Sequence, residues 1–404
     1  MPDGMGRVDD AVMLEHAASA PRKGAVVLAG HLLGAARIAK LCIPPQQWRK
    51  NQIPILANLL LQVKGGILTA QGTDLERCSA ATAPAQGTLG PVTVAATVLV
   101  DLLARLPAEA EITLEEDRSL GRLIFRAPGL TAKMMALPAE DFPVWKSPGE
   151  GAVEFEIPVA SLRRLLTLPA HAISTEETRY YLNGLYLHIA TAPEAKLCAV
   201  ATDGHRLALA EEDVPTGAER MPAVIVPRLA VSVLRGLLTQ RVTGSVRITV
   251  TDALIAFAMS GWTLQAKPVA GTFPDYGRVV PHGDVATRRL KVPDPLGFAR
   301  LLETAASISS ERSRPVRLEK RTGDASLWIV TASPDQGEVE LQMPHDVAAW
   351  DETSPEIVVG FQTRYLCALA RAVPSGLTCL IQDASAPMRV EFPAGLAVLM
   401  PMRV

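Results

Sequence analysis

Apolar residues along this chain alternate between the spacing of an amphipathic helix and the spacing of a β-strand. From Val94 to Pro143 the pattern predicts one helix followed by the strands AEITLEE, LGRLIFR and LTAKMMALP. The same order returns from Val226, with VRITV, LIAFAM and WTLQAKPV, and again from Phe361, with LTCLIQD, MRVEF and LAVLMPM. The chain therefore contains an internal repeat, which decides its fold class.

Three more helix-and-strand segments lie between these passes and begin near His31, Ser161 and Leu296. The six units pair into three similar domains of about 120 residues each. The linkers VWKSPGEG and PHGDVATRR, which are rich in Pro and Gly, mark the boundaries between the domains. We therefore predict an α+β protein with a flexible extension at 1–24 and domains at 25–149, 150–281 and 282–404.

The composition narrows the classes of protein that fit. The 404 residues are 48% hydrophobic and 20% charged, and 40 Lys and Arg nearly balance 42 Asp and Glu, which excludes a disordered chain and a strongly basic nucleic-acid-binding protein. Aromatic residues, at 4%, are too few to stack single-stranded bases on successive rings. The chain lacks a membrane-length apolar stretch and a signal-peptide pattern, so we expect a cytoplasmic protein with no membrane partner.

Charges are distributed unevenly over the predicted elements. Helical segments such as SLRRLLTLP and TRYLCALARAV carry arginines, whereas strands such as AEITLEED and VEFEIP carry acids. A nearly neutral chain can therefore present a basic surface of helices and an acidic surface of strands. The alternative is that each arginine covers an apolar edge with its aliphatic stem.

The segment ATDGHR contains an Asp-Gly turn between two strands and predicts a β-hairpin. An alternative is that Asp203 and His205 form a general-base pair or bind a metal, although no nucleophile or further ligand lies near them in sequence. The related GTDLER in the first domain favours a structural role instead. Dinucleotide-binding, Walker A, HExxH and GxSxG motifs are missing, and the five cysteines never approach C-x-x-C spacing. The sequence thus predicts no catalytic residue, no metal site and no cofactor.

The chain ends in VLMPMRV, which is apolar where most termini are polar. Leu396 to Leu399 are predicted to form a last strand. Beyond it, Met400, Pro401 and Met402 combine two adaptable thioethers with a rigid turn, which suits a groove that accepts different peptides.

Five segments, taken in order, resemble the bacterial DNA polymerase III beta subunit, the sliding clamp: IPILANLLLQV, TRYYLNGLYLH, AVATDGHRLALAE, GTFPDYGRVVP and VLMPMRV. The resemblance covers 25–404 and implies three similar DNA-clamp domains per chain. It also implies a head-to-tail homodimer, a ring with helices inside and antiparallel sheets outside. Such a ring encircles duplex DNA without reading its sequence and tethers the replicative polymerase as a processivity factor, with no catalytic chemistry of its own.

The resemblance also implies residues that face DNA and residues at the dimer interface. The interface set is Met134, beside Lys133, and Ile308, near Glu311 and Arg312. The family motifs give Lys50, Arg179, Tyr180, Tyr181 and Arg228 as DNA neighbours, and composition adds Arg163, Arg164, Arg235, Arg364 and Arg371.

The family's partner-peptide pocket lies between the second and third domains. It receives a short peptide containing Gln and Leu or Phe from the DNA polymerase III catalytic subunit, the clamp loader, other polymerases and repair proteins. The residues of this chain that match the family's pocket are Leu182, Thr202, Gly204, Leu207, Pro274, Arg278, Val279, Tyr365, Val398, Met400, Pro401 and Met402.

Two departures from the family pattern, Gly277 before Arg278 and Leu229 after Arg228, indicate a divergent copy with reduced charge toward DNA. The alternative function is a clamp-like scaffold that has lost part of the replication role.

Overall fold

The structure is a computed structural model that describes residues 24–44, 53–145, 149, 151–191, 194–281, 287–309, 315–373 and 375–403. Lys50 and nearly all of the predicted extension at 1–24 lie outside these residues. The described residues form two compact units, and the second unit holds both later passes of the repeat. The three domains and the two boundaries inferred from the linkers stay a prediction. The first unit comprises 24–37, 53–71 and 81–142, and the second comprises 38–44, 72–80 and 143–403.

Antiparallel strands and two α-helices make up most of the described residues as far as Phe142. Five strands form one sheet in the order β5-β1-β7-β8-β9, and β3, β2 and β6 are neighbours in another. The elements are β1 (Ala25–Leu28), α1 (Ala29–Ala39), β2 (Asn58–Lys64), β3 (Ile67–Thr73), β4 (Arg77–Pro84), β5 (Gln86–Gly87), β6 (Leu89–Ala95), α2 (Ala96–Leu103), β7 (Glu111–Asp117), β8 (Arg122–Ala127) and β9 (Leu130–Met135).

The rest of the chain carries four helices and seventeen further strands among its described residues. These are β10 (Val153–Pro158), α3 (Val159–Thr167), β11 (Gly184–Ala190), β12 (Lys196–Thr202), β13 (Arg206–Asp213), β14 (Val224–Pro227), α4 (Arg228–Leu237), β15 (Ser245–Val250), β16 (Ile255–Met259), β17 (Trp262–Ala266), β18 (Arg288–Val292), α5 (Pro295–Ala305), β19 (Pro315–Lys320), β20 (Leu327–Ser333), β21 (Gly337–Gln342), β22 (Ala349–Trp350), β23 (Ile357–Gln362), α6 (Thr363–Ala372), β24 (Leu377–Ile381), β25 (Met388–Phe392) and β26 (Gly395–Leu399).

One nine-stranded antiparallel sheet joins the strands that follow α3 to those of the third pass of the repeat, in the order β14-β11-β12-β13-β26-β25-β24-β18-β22. The junction is the pairing of β13 with β26, in which Leu207 lies opposite Val398. The same unit contains a four-stranded sheet, β21-β20-β19-β23, and the neighbours β10-β15-β16-β17. The predicted α+β class with antiparallel sheets is therefore confirmed.

All six predicted helices are present, but each repeat unit begins one element earlier than the sequence pattern indicated. A strand leads directly into each of α1, α2, α3, α4 and α6, and β18 ends two residues before the N-cap of α5. Pro158 and Pro227 stand at two of these junctions. Proline lacks an N–H to continue the sheet, and its fixed φ is compatible with the start of a helix, so the strand ends where the helix begins.

Strands β12 and β13 are buried on both faces, because side chains alternate across a sheet. Ala199, Ala201 and Ala208 face the main core of the unit, which includes the helices. The larger residues between them face the opposite side, where they join a small apolar cluster. Its buried members are Leu182, Cys198, Val200, Leu207, Leu209, Ile225, Phe273 and Val398.

No helix in the described part of the chain is long and apolar enough to cross a membrane. All five cysteines are buried and free. Burial raises the pKa of the Cys42 thiol to about 11 and that of Cys379 to about 12, so neither forms a reactive thiolate near neutral pH.

Candidate partner-peptide site

The hairpin turn between β12 and β13 is held by its own side chains. Asp203 Oδ1 accepts hydrogen bonds from the backbone N–H groups of His205 (2.9 Å) and Arg206 (3.0 Å). Asp203 Oδ2 accepts one from Arg206 Nε at 3.0 Å. Thr202 Oγ1 donates to the Arg206 carbonyl at 2.8 Å. Gly204 takes a φ of +88°, a conformation that strains most other residues, so glycine suits this position.

The same turn occurs in the segment that begins near His31, at 73–77. Thr73 Oγ1 donates to the Arg77 carbonyl at 2.7 Å, and Asp74 accepts from the Arg77 backbone and guanidinium at 2.6 Å each. The prediction that Thr-Asp-x-x-Arg is a structural element is therefore confirmed. The Asp203 carboxylate is paired with the guanidinium of Arg206 and not with the imidazole of His205, and no cluster of three metal-ligating side chains exists among the described residues.

The small apolar cluster brings together three of the predicted pocket residues from distant parts of the chain. Leu182 ends a short 3₁₀ helix, Tyr180–Leu182, where the sequence pattern had indicated the start of a strand. Leu207 and Val398 are paired across β13 and β26. All three are buried against Phe273, which directly precedes Pro274.

The C-terminal tail is fixed to this place by backbone hydrogen bonds. The Met400 N–H donates to the His205 carbonyl, and the Met402 N–H donates to the Gly360 carbonyl, both at 2.9 Å. The Met400 side chain is 44% exposed, so the bonds hold the backbone and leave the thioether accessible. The predicted last strand ends at Leu399, as expected.

Tyr365, at the start of α6, connects this helix to the 202–206 turn. Arg206 Cζ lies 4.3 Å from the ring centroid, and Arg364 Cζ lies 4.7 Å from it. The His205 ring is stacked at 6.5 Å between centroids, and Arg364 Nη2 donates to the Tyr365 hydroxyl at 2.9 Å. His205 and Arg206 were missing from the predicted pocket. Their position between Gly204 and Leu207, two predicted members, was the available signal.

The segment after Phe273 carries two further residues of the predicted pocket, Arg278 and Val279. Tyr276–Val279 is a 3₁₀ helix, in which Val279 is half exposed and Arg278 forms an exposed ion pair with Asp275 at 3.0 Å. The Tyr276 hydroxyl and His188 Nε2 share a hydrogen bond of 3.0 Å, which attaches this helix to β11. Burial lowers the pKa of His188, so its ring is neutral near pH 7.

The arginines predicted to face DNA have different environments. Arg228 and Arg235, both on α4, are exposed and form no ion pair within the described ranges. Arg164 is paired with Glu212 at 2.5 Å, and Arg371 with Glu303 at 2.6 Å, so acids compensate both charges.

Arg179, which precedes Tyr180 and Tyr181 in the chain, lies close to the 202–206 turn. Arg179 is paired with Glu176 at 2.7 Å. A Cβ on Gly204 would come within 2.6 Å of Arg179 Nη1, so this guanidinium lies directly on the turn. Tyr180 is about half exposed and packs edge-on against Tyr181.

The residues predicted for the dimer interface lie near the open edges of two sheets. Met134 belongs to β9, the last strand of its sheet; its side chain is buried, whereas Lys133 and Met135 are exposed. Ile308 is half buried and ends a 3₁₀ helix that packs against β20 and the edge strand β21. Glu311 and Arg312 lie outside the described residues.

Comparison with solved structures identifies the class of this fold. A DnaN sliding clamp from Bartonella birtlesii, bound to griselimycin, superposes with a TM-score of 0.85 at 33% identity and covers 94% of this chain and 100% of that one. A beta sliding clamp from C. crescentus gives 0.84 at 33% identity, with 94% and 99% covered. The fold is that of a DNA sliding clamp.

Sequence comparison specifies the family. Residues 46–146 match the N-terminal domain of the DNA polymerase III beta subunit, and 156–275 match its central domain. The beta sliding clamp of Caulobacter vibrioides is 35% identical over 362 residues, 88% of this chain and 94% of the relative. That of Escherichia coli K12 is 33% identical over 368 residues, 87% and 93%. The chain belongs to the bacterial beta sliding clamps, the DNA polymerase III beta subunits, which act in DNA replication as processivity factors and not as enzymes.

Proposed function

We propose that the surface around Leu207, Val398 and Met400 is the pocket through which this clamp tethers its polymerase. The observation that carries the proposal is the pair of backbone bonds from Met400 and Met402, which supports a tail fixed beside the 202–206 turn with its thioether accessible. Apolar side chains surrounded by a few polar groups suit recognition of a short peptide with Leu or Phe anchors. The clamp loader and repair proteins would bind the same pocket in turn.

We also propose that α4 faces duplex DNA through Arg228 and Arg235. Exposed guanidinium groups without an acid partner are suited to weak phosphate contacts that allow sliding. Arg164 and Arg371 contribute less, because their charges are compensated. The proposed assembly is a cytoplasmic homodimer that closes a ring by joining the open edge of β9 in one protomer to that of β21 in the other.

Retention on DNA separates a working clamp from the alternative, a clamp-like scaffold. The protein is loaded on nicked circular DNA with its clamp loader and ATP, and retention is compared before and after the circle is linearised. Retention on the circle with loss from the linear form supports a closed ring. Equal loss from both forms, with a loader that is active on another clamp, would favour the scaffold.

A fluorescein-labelled peptide with one Gln and a Leu-Phe pair tests the pocket. We expect saturable binding to the wild type and at least tenfold weaker binding to Val279→Glu, which places a charge on an exposed wall residue. Leu120→Glu, at a similarly exposed position in the first unit, is the matched control and should bind like the wild type. Unchanged affinity of Val279→Glu would remove this wall from the pocket.

A further inference from the structure

The repeat builds a second copy of the frame around the partner-peptide pocket. In the pocket, the residue after β26 donates its N–H to the fourth residue of the turn, from Met400 to His205. In the second copy, the residue after β17 does the same, from Lys267 to Glu76, at 3.0 Å. Pro143, which follows Phe142, corresponds in the repeat to Pro274, which follows Phe273. Every residue of this second frame from Thr73 to Arg77, and from Pro143 onward, belongs to the second unit.

An apolar cavity of about 630 Å³ lies at the centre of this second frame. We call it the second groove. Val144 is 82% exposed there, and Trp145 is held by a hydrogen bond of 2.9 Å from its Nε1 to Thr73 Oγ1. A paired Lys267 and Glu76, 3.1 Å apart and both exposed, border it with polar groups. The lining of the second groove includes Leu75, Pro143, Val144, Trp145, Leu254 and Lys267.

Leu75, which lines the second groove, has an unfavourable backbone conformation. Leu75 occupies the position of Gly204 and takes a φ of +76°, where a bulky side chain is a rare exception. Its side chain nevertheless lines the cavity and is 38% exposed. Because the side chain is partly exposed, core packing offsets little of the cost of this conformation, and residues in such conformations cluster at functional sites.

The second groove continues toward the partner-peptide pocket. A cavity of about 430 Å³ shares Ala253 and Lys267 with it and extends along 267–273 to Phe273, whose neighbour Pro274 belongs to the pocket. Lys267 and Pro274 are seven residues apart, so their Cα atoms are at most about 25 Å apart. An extended peptide of roughly seven residues spans that distance.

We propose that a partner segment seated in the partner-peptide pocket extends along this surface and inserts a second apolar residue into the second groove. The occupant is a single extended chain of a polymerase or repair protein, because the path is continuous with the pocket and bordered by polar side chains that suit a peptide backbone. The inference rests on the proposed function, since it requires the first anchor in the pocket. It assigns the groove to partners that carry two apolar anchors separated by up to about seven residues.

Three fluorescein-labelled peptides test the inference on the full-length protein. The short peptide carries only the Gln and Leu-Phe anchor. The Leu peptide adds a seven-residue Gly-Ser linker and a Leu-Leu end, made with the extension at either terminus, and the Ser peptide replaces Leu-Leu with Ser-Ser. We expect one Leu peptide to bind about tenfold tighter than its Ser counterpart, because the second anchor binds intramolecularly.

Two variants in the second groove and one control show whether the tighter binding of the Leu peptide arises at this groove. Val144→Glu should abolish the advantage of the Leu peptide, and Leu75→Gly, which removes side chain and strain together, should remove most of it. Leu120→Glu should retain it. The short peptide does not reach the groove and should bind all four proteins alike.

The outcomes that contradict the inference are distinct. Equal affinity of the Leu and Ser peptides for the wild type, with normal binding of the short peptide, overturns the second anchor alone. Failure of the short peptide overturns the proposed function and this inference with it. A wild-type assembly larger than a dimer in light scattering that Val144→Glu reduces would assign the groove to a second copy of the chain and also overturn the proposal.

Discussion

Removing the ring of Tyr365 tests whether the partner-peptide pocket depends on the connection between α6 and the 202–206 turn. The ring is contacted by the guanidinium groups of Arg206 and Arg364, 4.3 and 4.7 Å from its centroid. Each cation above a ring contributes about 0.5–1 kcal/mol at an exposed site and about 2 kcal/mol when desolvated. Arg206 is mostly buried and Arg364 is exposed. Tyr365→Leu should therefore remove about 2 kcal/mol or more of the interaction energy between the ring and the two guanidinium groups.

This loss should appear in peptide binding, because Arg206 precedes Leu207 and holds Asp203 in the turn. A loss of about 2 kcal/mol corresponds to roughly 30-fold weaker affinity in fluorescence anisotropy. Tyr365→Phe is the matched control. It keeps both ring contacts and removes only the hydrogen bond from Arg364, so we expect a loss of about fivefold or less.

The comparison of the two variants decides the mechanism. If Tyr365→Phe loses as much affinity as Tyr365→Leu, the hydroxyl and not the ring face supports the pocket, and the cation contacts do not account for the loss. Thermal unfolding followed by circular dichroism is measured alongside. A gross loss of folding in Tyr365→Leu would show a role in the core of the unit instead of a local role at the turn.

Three further changes test the rest of the assembly. Met400→Glu keeps the backbone bond to the turn but charges the apolar tail, so we expect at least tenfold weaker peptide binding by anisotropy and an unchanged dimer. Ile308→Lys should yield monomers in light scattering, because an unpaired charge in an interface costs about 3–5 kcal/mol; a persisting dimer would exclude Ile308 from the interface. Burial, followed by the charges of Arg206 and Arg235, lowers the pKa of His171 from 6.5 to about 3, so the unfolded chain binds a proton that the folded chain excludes. Stability should therefore fall as the pH drops from 6.5 toward 3, and urea titrations of His171→Phe should show a weaker fall.

The helices and most strands were predictable because their signals are local. Each helix of the repeat carries its own apolar spacing, and each strand its own alternation, so three passes of one pattern were visible without any contact information. Of the strands that lead into the helices, VEFEIP was predicted as a strand and the others were missed. In VEFEIPVASL the strand ends and the helix begins at Pro158 and Val159, and an apolar period does not mark that change of conformation.

The candidate site was predictable only where residue type carries the information. Leu207 and Val398 were implied by family motifs, and the structure buries them together. The bonds that fix the tail beside them are made by backbone atoms of Met400 and Met402, and such bonds leave no trace in residue type. Arg164 and Glu212 are 48 residues apart, so the charge that composition assigned to a basic surface is compensated by a tertiary contact.

The two copies of the Thr-Asp-x-x-Arg turn show how one backbone frame can serve two surfaces. Both turns use the same aspartate and threonine bonds, and both accept the N–H of a residue that follows a last strand. They differ at the third position, where Gly204 leaves room for the Arg179 guanidinium and Leu75 extends an apolar side chain into a cavity. The frame is thus set by hydrogen bonds that both turns make. What each surface binds then depends on the few side chains that the frame leaves exposed.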